Sequence, residues 1–321
     1  MGRFAGTWAV LTDLDGTLLD HATYKWHAAT GALEVLHRLR VPLILVTSKT
    51  RAEVIPILRG LRRREPFAVE NGGAIYIPRG YFRFQVPGAS PAGRGWLRIA
   101  LGTPRQKLIQ ALDRAAKRAD TSIRSFSEMS AREIAERTGL SSADTRRARQ
   151  REFDEPFVVL SSGSKAVSRL NQEITRAGHH MTRGSRFFHI LGKNDKGTAV
   201  LKLLACYRRA SKTRIRSVGL GDSPMTFRFC APLKSPSWWR GPTAGTIRKS
   251  CALSRAAAAR GARAPPDGIA RFCTYFAVPC HHTKADEKSR VSASPFPAIS
   301  SIMPLLVADD PGVRATSEVS Q

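Results

Sequence analysis

Near its N-terminus the chain reads Trp8-Ala9-Val10-Leu11-Thr12-Asp13-Leu14-Asp15-Gly16-Thr17. The run from Trp8 to Thr12 is mostly apolar and β-prone, which is typical of a strand buried on both faces. Because successive strand side chains point to opposite faces, the backbone has to turn before Asp13 and Asp15 can reach one site. Gly16 permits such a turn. The stretch predicts an α/β fold with a ligand site at the carboxyl end of this strand.

Two carboxylates this close together repel each other, and Mg²⁺, which prefers oxygen ligands, offsets that repulsion. One aspartate can then attack a phosphorus atom while the other protonates the leaving oxygen. An isolated Asp-x-Asp also occurs in turns that cap helices, but such turns do not require an apolar strand in front of them. The residues therefore favour phosphoryl chemistry at Asp13 and Asp15.

Three later segments add groups that suit the same chemistry. The apolar run 41–46 ends in Thr47 and Ser48, whose hydroxyls can bind a phosphoryl oxygen or cap the helix that follows. Lys193 and Lys196 precede a predicted helix over 198–207, and a lysine there can neutralise phosphoryl charge. The short strand predicted over 215–220 leads into Asp222, a further carboxylate.

The motifs resemble a known family of phosphatases. DLDGT is similar to the first motif of the haloacid-dehalogenase (HAD) superfamily. DLDGTLLDHATYKW, VTSKTRAEV, PFAVENGGAIYIP and SEMSAREIAERTGLSSADTRRARQREFDEPFVV resemble the mannosyl-3-phosphoglycerate phosphatase family. The resemblance covers roughly residues 8–224. It implies an α/β fold, with a HAD-like Rossmannoid parallel-sheet core and an inserted α+β cap of the C2 type.

The resemblance also implies roles for individual residues. Asp13 would be the nucleophile that becomes an aspartyl-phosphate, and Asp15 the general acid and base. Thr47 would hold a phosphoryl oxygen, with Ser48 in reserve. Lys196 would neutralise the negative charge of the two carboxylates and of the phosphoryl group, with Lys193 as the alternative. The implied Mg²⁺ ligands are the Asp13 side chain, the backbone carbonyl of Asp15 and the Asp222 side chain.

Substrate-binding residues are expected from two further segments. Lys49, Glu70 and Asn71 would face the entrance of the site, although Glu70-Asn71-Gly72 also fits a plain hairpin turn. An arginine of the cap can clamp a carboxylate through two hydrogen bonds, and acidic side chains can accept hydrogens from sugar hydroxyls. The candidates of the cap, each of which also fits a solvated or structural position, are Gln150, Arg151, Glu152, Asp154, Arg183, Arg186 and His189.

The predicted organisation divides the chain into four parts. A first part of the core over 1–83 is followed, through a Gly- and Pro-rich linker over 79–95, by a cap over 84–188. The core resumes over 189–224. Residues 225–321 are predicted to be an irregular, disordered tail, because apolar periodicity and β–α alternation largely stop there.

We propose a frameshift between residues 224 and 225 as the origin of this change; the alternative is that residues 225–321 are native. The family continues its fourth motif with Asn-Asp and a Pro-containing helix start. Met225 to Cys230 can be encoded as AUG ACU UUC CGU UUC UGC, and one added A in front gives codons for Asn-Asp-Phe-Pro-Phe-Leu. Thr226 therefore stands where the family has an aspartate. The loss of that carboxylate and of the last core strand predicts weakened activity or stability.

The composition restricts the remaining classes of function. Lys and Arg total 52 against 25 Asp and Glu, a formal net charge of +27. The arginines are spread over predicted helices without aromatic interleaving, which does not favour a nucleic-acid interface. The five cysteines show no metal-ligand spacing. Neither a signal peptide nor an apolar run of membrane-spanning length is recognisable, so a cytoplasmic protein with no membrane partner is expected.

Together these features predict a Mg²⁺-dependent phosphatase whose substrate is a small anionic phosphorylated sugar-glycerate. By resemblance this would be 2-O-mannosyl-3-phosphoglycerate, and the product mannosylglycerate, a compatible solute. The alternatives are a related phosphatase acting on glucosyl-3-phosphoglycerate or sucrose phosphate, and a catalytically inactive, basic nucleic-acid-binding protein. The sequence does not indicate an oligomeric state.

Overall fold

The computed structural model describes residues 8–20, 23–93, 95–161, 163–184, 186–211 and 215–221. The chain divides into two compact units, one drawn from residues 1–43 and 211–321 and the other from residues 44–210. Asp222 and the tail predicted over 225–321 lie outside the described residues. The domain boundaries expected from the sequence stay predictions.

Strands and helices alternate along the described ranges. The strands are β1 (Trp8–Thr12), β2 (Leu43–Leu45), β3 (Phe67–Val69), β4 (Ala74–Pro78), β5 (Ser90–Pro91), β6 (Trp96–Ala100), β7 (Ile123–Ser125), β8 (Asp154–Val159), β9 (His180–Arg183), β10 (Phe188–Leu191) and β11 (Arg216–Leu220). The α-helices are α1 (Thr30–Arg38), α2 (Arg51–Gly60), α3 (Arg105–Arg118), α4 (Ala131–Thr138), α5 (Ser142–Ala148), α6 (Ser164–Arg176) and α7 (Lys196–Ser211). A short 3₁₀ turn covers His27–Ala29, and a tight turn with positive φ values covers Glu70–Gly72.

The first unit is built on a parallel pair of strands. β1 pairs with β11 in parallel, with Val10 opposite Val218 and Thr12 opposite Leu220. The sheet has the order β11-β1-β2. Val10 N donates to Pro42 O at 3.0 Å, immediately before β2, which carries the chain into the second unit. Residues 9–12 of β1 are buried, which agrees with the doubly buried strand that the sequence indicates.

The second unit contains a four-stranded antiparallel sheet of order β3-β4-β6-β5. In it Ile75 of β4 lies opposite Ile99 of β6. Residues 79–95, expected to be a linker, include the two-residue strand β5, which pairs with β6. The segment after residue 84 thus first returns to the sheet that holds β3 and β4. The abundant Gly and Pro of this stretch conceal a strand that is too short to show a period.

A second antiparallel sheet, of order β7-β8-β10-β9, is covered by α3 and α6 in the same unit. The apolar faces of both helices meet this sheet, which is the α+β arrangement predicted for the cap. The inward residues of α3 recur with the helical period. The buried side chains between these layers include Leu108, Leu112, Phe157, Leu170, Ile174 and Ile190.

Helix starts follow the capping chemistry of the sequence. Thr50 is the N-cap of α2, where its hydroxyl accepts from Glu53 N and its backbone N–H donates to the Glu53 carboxylate. Ser130 caps α4 by accepting from Glu133 N, whereas the Glu133 carboxylate pairs with Arg124 instead of returning to the cap. None of the helices in the described ranges is long and apolar enough to cross a membrane.

Candidate functional site

The two aspartates of the first motif lie where β1 ends. Asp13 is buried, its backbone N–H donates to Leu220 O at 3.0 Å, and its Oδ1 accepts from Leu14 N at 2.8 Å. Asp15 is half-buried and forms a single β-bridge with Leu19. Gly16, at φ +68°, adopts the left-handed conformation that the turn requires. The strand therefore ends in a turn that carries both carboxylates.

The pairing of β11 with β1 shows where the chain that leads to Asp222 leaves the sheet. Because Asp13 N binds Leu220 O, β11 ends at the same sheet edge as β1, and Gly221 leads on from there. Asp222, the third predicted ligand, lies outside the described residues. Within the described ranges no group of three His, Cys, Asp or Glu side chains is close enough to hold a metal ion. The described chain thus contributes two of the three predicted ligand residues.

The hydroxyl residues after β2 have separate structural roles in the second unit. Thr50 caps α2, so that function does not fall on Thr47. Thr47 is fully buried, and its Oγ1 accepts from Lys49 N at 3.1 Å. Ser48 contributes its carbonyl to Arg151, and Lys49 Nζ lies 3.9 Å from the Glu53 carboxylate. The Thr47 hydroxyl accepts this one hydrogen bond and still has its own proton to donate.

Between β3 and β4 the chain makes a left-handed turn of three residues. Glu70, Asn71 and Gly72 have φ values of +49°, +55° and +84°. A left-handed conformation costs a residue other than glycine roughly 1–2 kcal/mol. Two such residues in succession are kept only where surrounding contacts compensate for the strain, and that occurs most often at functional sites.

The Glu70 side chain supplies much of this compensation. Its carboxylate accepts hydrogen bonds from Glu152 N at 2.9 Å and from Phe153 N at 2.7 Å. Burial raises the pKa of Glu70 to about 7, although the charge of Arg151 and these hydrogen bonds act to lower it. The carboxylate thus binds the backbone that enters β8 to the turn that leaves β3.

Arg151 and Asp154 form a buried ion pair beside this turn. Arg151 Nη1 donates to Asp154 Oδ2 at 2.9 Å and to Ser48 O at 3.1 Å. Asn71 Nδ2 donates to the same Asp154 oxygen at 3.3 Å, and His189 Nδ1 lies 3.0 Å from both oxygens of that carboxylate. Asp154 is fully buried and its oxygens have protein partners. This arrangement suits a residue that holds Arg151 and His189 in place.

The Nε edge of the Arg151 guanidinium differs from Nη1 in having no hydrogen-bond partner at Nε among the described residues. Arg151 Nε is buried, while the whole side chain is 8% exposed. An unpaired buried donor of a charged group is costly unless a ligand or water satisfies it. The edge that carries Nε is one of the two from which arginine binds carboxylates through two hydrogen bonds.

The acidic residues next to Arg151 also have protein partners. Glu152 accepts from the Tyr76 hydroxyl and from Arg98 Nη1. Glu155 is fully buried and accepts from Arg105 Nε and from Ser127 N. The segment 151–155 therefore connects the sheet of β4 and β6 with the sheet of β8. No signal in the sequence indicated Tyr76 or Arg98, because their partner lies far away along the chain.

The two lysines that are candidates for neutralising phosphoryl charge differ in burial. Lys193 is exposed, whereas Lys196 is buried as the first residue of α7. Asp195 Oδ1 accepts from Thr198 N at 2.8 Å and so serves the start of that helix. A Cβ at Gly72 would lie only 2.1 Å from Asp195 O and 2.9 Å from Lys196 N. The left-handed turn thus packs directly against the backbone at Lys196.

The remaining candidates of the cap lie near the surface. Gln150 is exposed, and its backbone N–H donates to Arg147 O. Arg186 is exposed and donates to the carbonyls of Arg137 and Thr138 at the end of α4, where a cation is favourable. The guanidinium of Arg183 lies over the ring of Phe188. Arg186 thus contributes to the stability of α4.

Comparisons with known proteins decide the family. Residues 10–86 match the family model of haloacid dehalogenase-like hydrolases. A glucosyl-3-phosphoglycerate/mannosyl-3-phosphoglycerate phosphatase of Methanococcoides burtonii is 38% identical over 214 residues, which cover 67% of this chain and 78% of that protein. A mannosyl-3-phosphoglycerate phosphatase of Pyrococcus furiosus is 32% identical over 215 residues, covering 67% of this chain and 84% of that protein.

The chain belongs to the mannosyl-3-phosphoglycerate phosphatase family of HAD-like hydrolases. This confirms the family that the motifs predict, and with it an enzyme of the phosphoric monoester hydrolase class.

Solved structures agree on the fold of this family member. A Streptococcus mutans protein superposes with a TM-score of 0.53 at 14% identity, covering 84% of this chain and 98% of that chain. A haloacid dehalogenase-like hydrolase from B. subtilis superposes with a TM-score of 0.50 at 15% identity, covering 72% of this chain and 88% of that chain. Identities this low bear on the fold alone, and the predicted HAD-like fold is confirmed.

Proposed function

We propose that the chain is a Mg²⁺-dependent phosphatase that hydrolyses 2-O-mannosyl-3-phosphoglycerate to mannosylglycerate and phosphate. The names of the relatives support the substrate class, since they carry mannosyl- or glucosyl-3-phosphoglycerate. The observation that carries the choice of an acidic substrate is the buried Nε edge of Arg151, which has no protein partner in the described chain. A glycerate carboxylate matches that edge in charge and shape.

The donor set at the end of β1 fits a hard divalent cation. Asp13 offers a carboxylate oxygen and Asp15 a backbone carbonyl oxygen next to a strand terminus, and Asp222 follows β11 by two residues. Oxygen ligands of this kind suit Mg²⁺ better than softer metals. When bound, Mg²⁺ neutralises carboxylate and phosphoryl charge.

In the proposed reaction Asp13 supplies the nucleophilic oxygen. A new bond forms between this oxygen and phosphorus while the bond from phosphorus to the glycerate oxygen breaks, and Asp15 gives its proton to that leaving oxygen. Water then attacks the aspartyl-phosphate, and Asp15 takes up its proton. The bond between Asp13 and phosphorus breaks and releases phosphate, which restores the Asp13 carboxylate and the protonated Asp15.

Residues of the second unit are proposed to bind the substrate and offset its charge. Thr47 donates its hydroxyl proton to a phosphoryl oxygen, and the buried ammonium of Lys196 offsets phosphoryl charge. Arg151 binds the glycerate carboxylate. The other proposed contacts to the substrate, carried over from the sequence, are made by Ser48, Lys49, Gln150 and Arg186.

Phosphate release from a substrate panel tests this function. The panel contains mannosyl-3-phosphoglycerate, glucosyl-3-phosphoglycerate and sucrose phosphate, each assayed with Mg²⁺. We expect the two phosphoglycerates to be hydrolysed with a higher kcat/KM than sucrose phosphate, because only they carry a carboxylate for Arg151. Faster hydrolysis of sucrose phosphate would refute the carboxylate assignment, and no release from any of the three would refute the proposed substrate class.

A further inference from the structure

The left-handed turn Glu70–Gly72 contacts three separate segments of the second unit. Its middle residue, Asn71, donates its backbone N–H to Thr47 O at 3.1 Å and its side-chain amide to Asp154. Asn71 O in turn accepts from Asn194 Nδ2 at 3.4 Å. The turn is thus tied at its centre to the end of β2, to the start of β8 and to the segment before α7.

The first residue of the turn determines where Arg151 lies. Glu70 binds the backbone N–H groups of Glu152 and Phe153, the two residues that follow Arg151. A Cβ at Gly73 would lie 2.5 Å from Phe153 Cβ, so the chain at 153 has no room to approach further. Hydrogen bonds on one side and close packing on the other fix the backbone next to Arg151.

The last residue of the turn determines where Lys196 lies. Gly72 has φ +84° and packs so closely on the 195–196 peptide that any side chain would displace it. The same three residues therefore limit movement of Lys196 at one end and of Arg151 at the other.

We propose that Glu70, Asn71 and Gly72 form a rigid bracket that sets the spacing between Lys196 and the buried, unpartnered Nε edge of Arg151. Glu70 and Asn71 are positioning residues for those two cations. The inference deepens the proposed function and rests on it for the roles of the cations, whereas the contacts of the bracket do not depend on any substrate.

The two ends of the bracket predict different kinetic effects. Glu70→Gln removes one acceptor and the charge, which loosens the backbone beside Arg151. We expect it to raise KM for mannosyl-3-phosphoglycerate about tenfold and to change KM for p-nitrophenyl phosphate, which has no carboxylate, by less than about twofold. Gly72→Ala displaces the backbone at Lys196, so we expect kcat to fall about tenfold or more with both substrates.

Each variant has a matched control. Glu65 is a second buried glutamate that accepts a backbone N–H, from Arg64, and lies outside the bracket. Gly80 has φ +72° with nothing within 4 Å of a Cβ placed there, so Gly80→Ala carries the conformational strain of Gly72→Ala without its clash. Glu65→Gln and Gly80→Ala should leave both kinetic constants unchanged.

Hydrogen–deuterium exchange of the full chain tests the bracket without a substrate. The amides of Glu152 and Phe153 should exchange at least about tenfold faster in Glu70→Gln than in wild type or Glu65→Gln. Unchanged exchange, or an equal rise in KM for both substrates, would overturn the proposal. If wild type hydrolyses only p-nitrophenyl phosphate, the proposed substrate fails, and the exchange result alone decides on the bracket.

Discussion

His189 Nδ1 lies 3.0 Å from both carboxylate oxygens of Asp154, and Arg151 donates to one of those oxygens from the same buried cluster. Burial alone would raise the pKa of Asp154, but the charges of His189 and Arg151 and the hydrogen bond with His189 together lower it. Asp154 is therefore an anion that balances buried positive charge.

Replacing this anion should destabilise the fold. Asp154→Asn leaves Arg151 without its counter-charge, and we expect the free energy of unfolding to fall by about 3 kcal/mol. The control is Glu136→Gln, which breaks the exposed pair between Arg132 and Glu136 and should cost no more than about 0.5 kcal/mol. Urea unfolding measures both, and equal effects would show that the buried pair has no special role.

The same pair predicts acid sensitivity. A carboxyl whose pKa is lowered by folding stabilises the protein above its unfolded pKa, and this stabilisation is lost as the pH falls through the lower folded value. Wild type should therefore lose stability in acid more steeply than Asp154→Asn. Parallel pH profiles of the unfolding free energy would contradict this expectation.

Glu70 predicts a pH dependence of the opposite sign. Its pKa is raised to about 7, chiefly by burial, with Arg151 and Asp154 as the charged side chains that act on it. Because the folded state holds this proton more tightly, stability is greatest below the unfolded pKa and falls as the pH rises to about 7, by roughly 3 kcal/mol. Glu70→Gln should remove this loss. Urea unfolding at several pH values measures it, and an unchanged difference between wild type and variant across that range would refute it.

Asp13→Asn should remove the phosphatase activity without unfolding the chain. The amide is a poor nucleophile, so kcat should fall by at least about a thousandfold. Its Oδ1 can still accept from Leu14 N, which preserves the turn. The control is Asp20→Asn, whose carboxylate serves the local turn at Thr23 and should leave kcat unchanged. Salt-sensitive DNA binding unaffected by Asp13→Asn, with no phosphate release from wild type, would favour the nucleic-acid-binding alternative.

Removal of divalent cations should abolish the phosphatase activity, as we expect Asp13→Asn to do. Dialysis against EDTA leaves the carboxylates of Asp13 and Asp15 without the cation that offsets their charge, so phosphate release should stop and return when Mg²⁺ is added. Ca²⁺, which prefers more ligands at longer distances, should restore less activity. Undiminished release in EDTA would refute the requirement for Mg²⁺.

Restoring the reading frame after residue 224 should improve both stability and activity. The restored frame supplies the Asn-Asp motif where the present sequence has Met225 and Thr226, and it permits an apolar strand over 234–240, where the present sequence reads KSPSWWR. Melting temperature and phosphate release of the two chains provide the comparison. An intact gene that encodes residues 225–321 in frame and is shared by close relatives would refute the frameshift.

Local patterns of residue type predicted much of the fold. β1 follows from the apolar, β-prone residues 8–12, and β11 lies within the strand predicted over 215–220, because these signals depend only on residues within a few positions of each other. The cap of α2 was missed, since the sequence offered Thr47 and Ser48 for it and the structure uses Thr50. β5 and β6 were missed, since a two-residue strand has no period and the pairing of β6 with β4 is a long-range contact.

In the candidate site, too, the residue types could be recognised from the sequence, whereas their long-range partners could not. The sequence identified Lys49, Glu70, Asn71, Arg151 and Asp154 as candidate substrate-binding residues, and it left a structural position open for Glu70, Asn71 and the two residues of the cap. The structure gives Glu70 and Asp154 protein partners and leaves the Nε edge of Arg151 without one. A buried polar group must find a hydrogen-bond partner, and residue type does not specify which one.

By itself the sequence determined that a buried parallel strand ends in two aspartates and that the chain belongs to a family of phosphatases. Only the tertiary structure decided that a left-handed turn in the second unit contacts the segments that carry Thr47, Arg151 and Lys196. Strand and turn propensities act over a few residues, whereas the strain of that turn is compensated by contacts at Thr47, Phe153 and Lys196, which come together only when the chain folds.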